Sequence, residues 1–134
     1  MNKNDLPVES GTWTPSLIGA GGAVTTYTVQ SGAYQRIGGL VAAWFEIRTS
    51  AHTLTGNLSI GGLPFALANS IPRPIGELVF NGITKTGATR SSLFGTEISV
   101  TYQNTGMTSL TSYFLQGTEI AQGVIVQGQF IYKI

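Results

Sequence analysis

Hydrophobic and polar residues alternate most regularly from Leu40 to Thr49, LVAAWFEIRT, and a period of two is the signature of a β-strand. Val41, Ala43, Phe45 and Ile47 fall on one face of that strand, while Leu40, Ala42, Trp44, Glu46 and Arg48 fall on the other. The first set reads as a core face. The second is apolar around Trp44 and charged only at its far end, which suits a surface covered by another sheet or subunit. Gly38-Gly39 precede this strand, and a second one is predicted at Asn57 to Ile60. It stops at Gly61-Gly62-Leu63-Pro64, where paired glycines permit a sharp bend and Pro64 has no N–H to give a ladder.

The same pattern extends in both directions. Gly11 to Pro15 predicts a short edge strand with Trp13 facing inward, and Gly19 to Ala23 a glycine-rich turn. Val24 to Gln30 and Ala33 to Ile37 read as a hairpin about Ser31-Gly32. ALANSIPRP, between Phe65 and Ile75, predicts a crossing loop, because Pro72 and Pro74 keep their predecessors out of the helical region. Such a loop carries a chain from one sheet of a sandwich to the other. Four more strands are predicted at Gly76 to Ile83, Ser92 to Tyr102, Leu110 to Gln116 and Gly123 to Lys133. In the last of these Val124, Val126, Phe130 and Tyr132 share one face, and Ile125, Gln127, Gln129 and Ile131 the other. An apolar strand ending the chain calls for pairing or cover. No segment repeats apolar residues at helical spacing. The expected fold is an all-β antiparallel sandwich of jelly-roll type with eight or nine strands, one domain over residues 11–134. Val41, Phe45 and Ile47 are its expected core, with Ile98, Val100, Val126 and Phe130 opposite.

Composition sharpens this picture. A chain of 134 residues buries a real core as one domain. Charged residues make up only 10%, against about 25% in ordinary soluble domains, so free copies repel one another weakly and association is expected. A formal net charge of +1 supplies no basic field of the kind nucleic-acid binding requires. There is no cysteine, which removes disulfides and thiolate metal sites. No run approaches the ~20 apolar residues of a membrane span, and MNKNDLPVES lacks the apolar stretch of a signal peptide. The chain is therefore expected to assemble in the cytoplasm, with neither nucleic acid nor membrane as partner.

Candidate chemistry is sparse. His52 is the sole histidine and is expected on a surface loop, so neither nucleophile–base pairs nor His-rich metal sites can be built within one chain. Glu46, Glu77, Glu97 and Glu119 could serve a two-carboxylate glycosidase, but they are scattered over strands and turns where a solvated carboxylate is the default. The glycines of IGAGGA and IGGL precede no helix and cradle no phosphate. Trp13, Trp44, Tyr27, Tyr34, Tyr102, Tyr113 and Tyr132 could stack on sugar rings, yet most read as core or interface. The segments Lys85 to Arg90 and Gln103 to Thr108 read as surface loops suited to binding. The expectation is no enzyme, no cofactor and no metal.

Three stretches carry a further likeness. GTWTPSL at Gly11 to Leu17, SGAYQRIGGLVAAWFEI at Ser31 to Ile47 and GNLSIGGLPF at Gly56 to Phe65 resemble a β-sandwich module of tailed-bacteriophage virion proteins. The resemblance runs from Gly11 to the C-terminus and is clearest in the first half. Such modules end tail fibres and tailspikes and also occur in small head-decoration proteins, typically as homotrimers. The resemblance implies a virion structural protein, first of all a homotrimeric capsid decoration (cement) protein. Its expected partners are its own copies and the major capsid protein. The alternative is the receptor-binding tip of a tail fibre recognising a host surface glycan. Under the decoration reading the aperiodic segment 1–10 is an extended arm whose Asn2, Lys3, Asp5, Leu6, Pro7, Val8 and Glu9 contact the capsid. Leu40, Trp44 and Ile125, apolar where a free monomer would be wet, are the expected trimer contacts.

Overall fold

The computed structural model describes residues 7–68, 75–84, 87–94, 97–104 and 113–134. Among these, ten strands form an antiparallel β-sandwich: β1 (Val8–Trp13), β2 (Ser16–Ile18), β3 (Val24–Ile37), β4 (Leu40–His52), β5 (Ser59–Gly61), β6 (Ile75–Ile83), β7 (Gly87–Phe94), β8 (Glu97–Asn104), β9 (Tyr113–Phe114) and β10 (Ile120–Lys133). A 3-10 turn at Gly117–Glu119 precedes β10. The strand order is β1-β3-β4-β10-β6-β7-β8-β5-β2, with β9 also on β8. Strand β6 joins the two layers: Glu77 to Asn81 pair with β10, while Ile75 and Gly76 pair with β7. The first layer is thus β1-β3-β4-β10-β6.

The alternation in β4 and β10 places the core as expected. Val41, Ala43, Phe45 and Ile47 are buried, as are Val124, Val126, Phe130 and Tyr132, and they face Ile98 and Val100 from β8. Large and small residues alternate across the inner face of the first layer. One transverse row reads Trp13, Gly32, Phe45, Gly128, Leu78, and the next reads Gly11, Tyr34, Ala43, Phe130. Each ring therefore lies over a residue with little or no side chain, which lets flat aromatics fill the interior without voids. Trp13 and Phe45 meet edge to face, with centroids 5.7 Å apart.

Three expectations are corrected. Ser31-Gly32 is not a turn, since β3 runs straight through it and reverses at Gly38-Gly39. Gly38 takes the left-handed φ of +58° that two-residue hairpins favour at their first turn position. Gly32 is required by packing instead, because a Cβ there would stand 2.7 Å from the Trp13 indole. Ser92 to Tyr102 is not one strand but parts of β7 and β8, paired from Gly87↔Asn104 to Phe94↔Glu97. Residues 87–90, expected in a binding loop, consequently belong to β7, and Gln103 and Asn104 belong to β8.

The third correction concerns the arm. Residues 1–6, including Asn2, Lys3, Asp5 and Leu6, lie outside the described residues. Val8, Glu9 and Ser10 open β1 and pair with Ile37, Arg36 and Gln35 of β3. The Glu9 carboxylate accepts a 2.9 Å hydrogen bond from the Tyr34 hydroxyl and lies 3.7 Å from the Arg36 guanidinium. Pro7 accepts from the Gly38 N–H. Partners on the neighbouring strand thus hold this segment to the sandwich, and the sandwich begins before Gly11.

Candidate functional site

Residues of the first layer that do not face the core form one outer surface. Register arranges them in transverse rows: Val8, Ile37, Leu40, Lys133; Ser10, Gln35, Ala42, Ile131; Thr12, Ala33, Trp44, Gln129, Glu77; Ser31, Glu46, Gln127, Val79; and Val29, Arg48, Ile125, Asn81. The first two rows carry exposed Val8, Ile37, Leu40 (51%) and Ile131 (65%). From the Trp44 row onward Glu46, Arg48, Glu77, Gln127 and Gln129 stand among exposed Trp44 and Val79. The expected contact residues Leu40, Trp44 and Ile125 all lie on this face but in different rows. Leu40 and Trp44 are exposed and Ile125 is half-buried.

At the boundary between the two halves the sheet is hollowed. Ser31, Ala33 and the bare backbone of Gly32 and Gly128 leave a depression of about 480 Å³, walled by Trp44, Glu46, Glu77, Val79, Gln127 and Gln129. A second depression of about 420 Å³ lies on the other side of Trp44 and shares Trp44, Glu77 and Gln129 with the first. The row Trp44–Gln129–Glu77 therefore stands as a crossbar between two hollows.

The polar groups here are held in place. Glu46 accepts from the Arg48 guanidinium at 2.9 Å and from the Gln127 Nε2 at 3.0 Å, and the guanidinium comes within 2.8 Å. These bonds, first that from Arg48 and then that from Gln127, hold the Glu46 carboxyl below the usual carboxylate range. Glu77 accepts from the Gln129 Nε2 at 3.2 Å. Among the described residues Glu77 has no ion pair with a cation.

Glu46 and Glu77 both border the first hollow. Glu46 and Glu77 stand two strands and one row apart, about 12 Å between Cα atoms from ordinary strand spacing and rise. Both side chains lean toward the intervening β10, where Glu46 accepts from Gln127 and Glu77 from Gln129. The other two candidates sit elsewhere: Glu97 begins β8 and Glu119 accepts from the Gln116 N–H beside the 3-10 turn.

His52 is not on a surface loop. It closes β4, is only 7% exposed, and its Nδ1 accepts from the Leu54 N–H at 3.1 Å while Nε2 lies 2.9 Å from the Ala121 carbonyl. The acceptor role of Nδ1 makes Nε2 the donor. Nearby, the buried Thr49 hydroxyl donates to the Gln122 carbonyl at 2.8 Å and accepts from the Val124 N–H at 3.2 Å. Together they fasten β4 to the register shift between Ile120 and Ile125 of β10, a structural duty.

Most of the aromatic candidates are structural too. Trp13 donates to the Ala33 carbonyl from the core, the Tyr27 hydroxyl accepts from the Leu17 N–H, and Tyr132 donates to the Phe65 carbonyl. Tyr34 is engaged with Glu9, and the side chains of Tyr102 and Tyr113 lie outside the described residues. Trp44 remains, 47% exposed. The alternation of the last strand puts Gln127 and Gln129 opposite the core, but only register shows them beside Trp44.

No protein-family model matches the chain, and no curated protein sequence matches it. Among solved structures it is similar to the Dettilon tailspike protein (gp208), with a TM-score of 0.71 at 18% sequence identity. The likeness covers 92% of this chain and 23% of the tailspike, so the chain spans about a quarter of that protein's length.

Proposed function

We propose that the chain is a non-enzymatic structural module of a tailed-bacteriophage virion, carried on the tail within a spike or fibre and working as a homotrimer. The observation that carries this reading is the match of nearly the whole sandwich to one part of a tailspike. It favours the tail over the head. Val8, Glu9 and Ser10, expected in a capsid-binding arm under the decoration reading, pair with β3 of the sandwich instead.

Self-association is supported by the apolar rows of the outer face. Val8, Ile37, Leu40 and Ile131 are exposed side by side, and the chain's low charge does little to oppose contact between copies. Leu40, from the expected set, belongs to this contact, whereas Trp44 stands at its border. The test is to label intact phage particles with gold-conjugated antibodies against the folded chain, together with sedimentation equilibrium of the purified protein. Label on tails and a mass three times the 14.1 kDa of the chain are expected. Label on heads would return the protein to capsid decoration. A stable monomer at micromolar concentration would overturn the trimer.

A further inference from the structure

We infer that Asn81-Gly82 is a self-modification site, where Asn81 converts to aspartate and isoaspartate without an enzyme and gives the chain a second, more acidic form. The reaction needs a backbone nitrogen that can reach the preceding carboxamide, and a side chain on the following residue crowds that nitrogen. Gly82 carries none. Asn81-Gly82 is the one Asn-Gly pair in the sequence, whereas the other asparagines precede Lys3, Asp5, Leu58, Ser70 and Thr105. Packing keeps the glycine in place: Gly82 takes a φ of +103°, and a Cβ there would stand 2.9 Å from the Val124 Cγ1. The susceptible pair is thus built into the fold.

The ladder is open at this point. Register with β10 passes from Asn81↔Ile125 to Ile83↔Ile120, so Gly82 alone lies opposite Ala121 to Val124, and β7 pairs with β6 at Ile75 and Gly76. Among the described residues Gly82 therefore has no register partner on either side, and both it and Asn81 are exposed. Asn57 is the contrast: its Oδ1 accepts a 2.6 Å hydrogen bond from the Gln116 Nε2, and the residue after it, Leu58, is buried. In the reaction the Gly82 nitrogen loses its proton and bonds to the Asn81 Cγ, the bond from Cγ to the side-chain nitrogen breaks, and ammonia leaves with that proton. Water then opens the succinimide at either carbonyl, to aspartate or isoaspartate, with nothing oxidised or reduced. The new carboxylate joins the row of Val29, Arg48 and Ile125 and takes the formal net charge from +1 to zero, where association is least opposed. That row is the farthest from Leu40 and Ile131, so contact between copies along the apolar rows leaves Asn81 open to water.

The test holds the full chain, folded in buffer and unfolded in guanidinium chloride, at neutral and mildly alkaline pH, and follows every asparagine by peptide mass. In the folded chain Asn81 should gain the mass difference between O and NH before any other asparagine does, and faster at the higher pH. An isoaspartate methyltransferase should label part of the product. The folded rate should stay within about a hundredfold of the unfolded one, because a site without ladder pairing opens locally at little cost. Anion exchange should resolve the second form, eluting with the Asn81→Asp variant. Asn81→Gln, whose longer side chain closes the ring less readily, should lose that form, and unchanged far-ultraviolet circular dichroism would show that it folds. The inference is overturned if another asparagine converts first in the folded chain, or if aspartate appears there without isoaspartate. It is overturned equally if the folded chain reacts more slowly than that limit, toward the roughly thousandfold or greater retardation expected when global unfolding must come first.

Discussion

Gly128 offers the sharpest test of how the core is packed. It pairs with Phe45 on one side and Leu78 on the other, and a Cβ built there would stand 2.7 Å from the Phe45 Cε1, 2.9 Å from its Cζ and 3.1 Å from the Glu77 carbonyl oxygen. The first two distances are too short to persist, so the ring must move. It cannot swing freely toward β3, because the Trp13 indole meets it edge to face. Gly128→Ala should therefore cost about 1–3 kcal/mol, the usual price of overpacking. Leucine at position 45 lacks Cε1 and Cζ. In a Phe45→Leu background the same substitution meets only the tighter approach to the Glu77 carbonyl, and its cost should fall by about 1 kcal/mol or more. Urea denaturation of the four proteins at one fixed concentration closes the double-mutant cycle. If the two substitutions add to within about 0.5 kcal/mol, the ring does not occupy the space above Gly128 and the alternating-row account of the core fails.

Two further outcomes follow from polar contacts. Thr49→Val keeps shape but leaves the Gln122 carbonyl and the Val124 N–H without the hydroxyl that serves both, and should lower stability by roughly 1–3 kcal/mol in denaturant melts; Thr49→Ser should recover most of the loss. The depressed Glu46 carboxyl contributes stability that is present above the ordinary carboxylate value and lost as pH falls through the lowered folded value. An NMR titration of the Glu46 side chain should show the low midpoint, and Arg48→Ala should raise it toward the usual range; an unchanged midpoint in Arg48→Ala would show that the guanidinium is not the main cause.

The faces of the long strands were legible in the sequence because a period of two is a local property: it needs only the tetrahedral Cα and the pleat. Val41, Ala43, Phe45 and Ile47, and likewise Val124, Val126, Phe130 and Tyr132, are buried as their alternation required. The all-β antiparallel sandwich followed from the same pattern and from the absence of any helical period. What the sequence could not show is which residue lies beside which. Ser31-Gly32 reads as a turn by composition, and only the arrival of Trp13 over Gly32 explains why the strand continues. Ser92 to Tyr102 reads as one run because Gly95 alone interrupts it, whereas the pairing of β7 with β8 divides it. Val8 to Ser10 show no periodicity, and it is Tyr34 and Arg36, more than twenty residues away in the chain, that hold Glu9 in a strand. The site has the same origin. Trp44, Glu46, Glu77, Gln127 and Gln129 come from three strands, and each is unremarkable in its own segment. Register between strands is set by long-range side-chain packing and not by local preference, so their meeting around two hollows was decided by the tertiary structure alone.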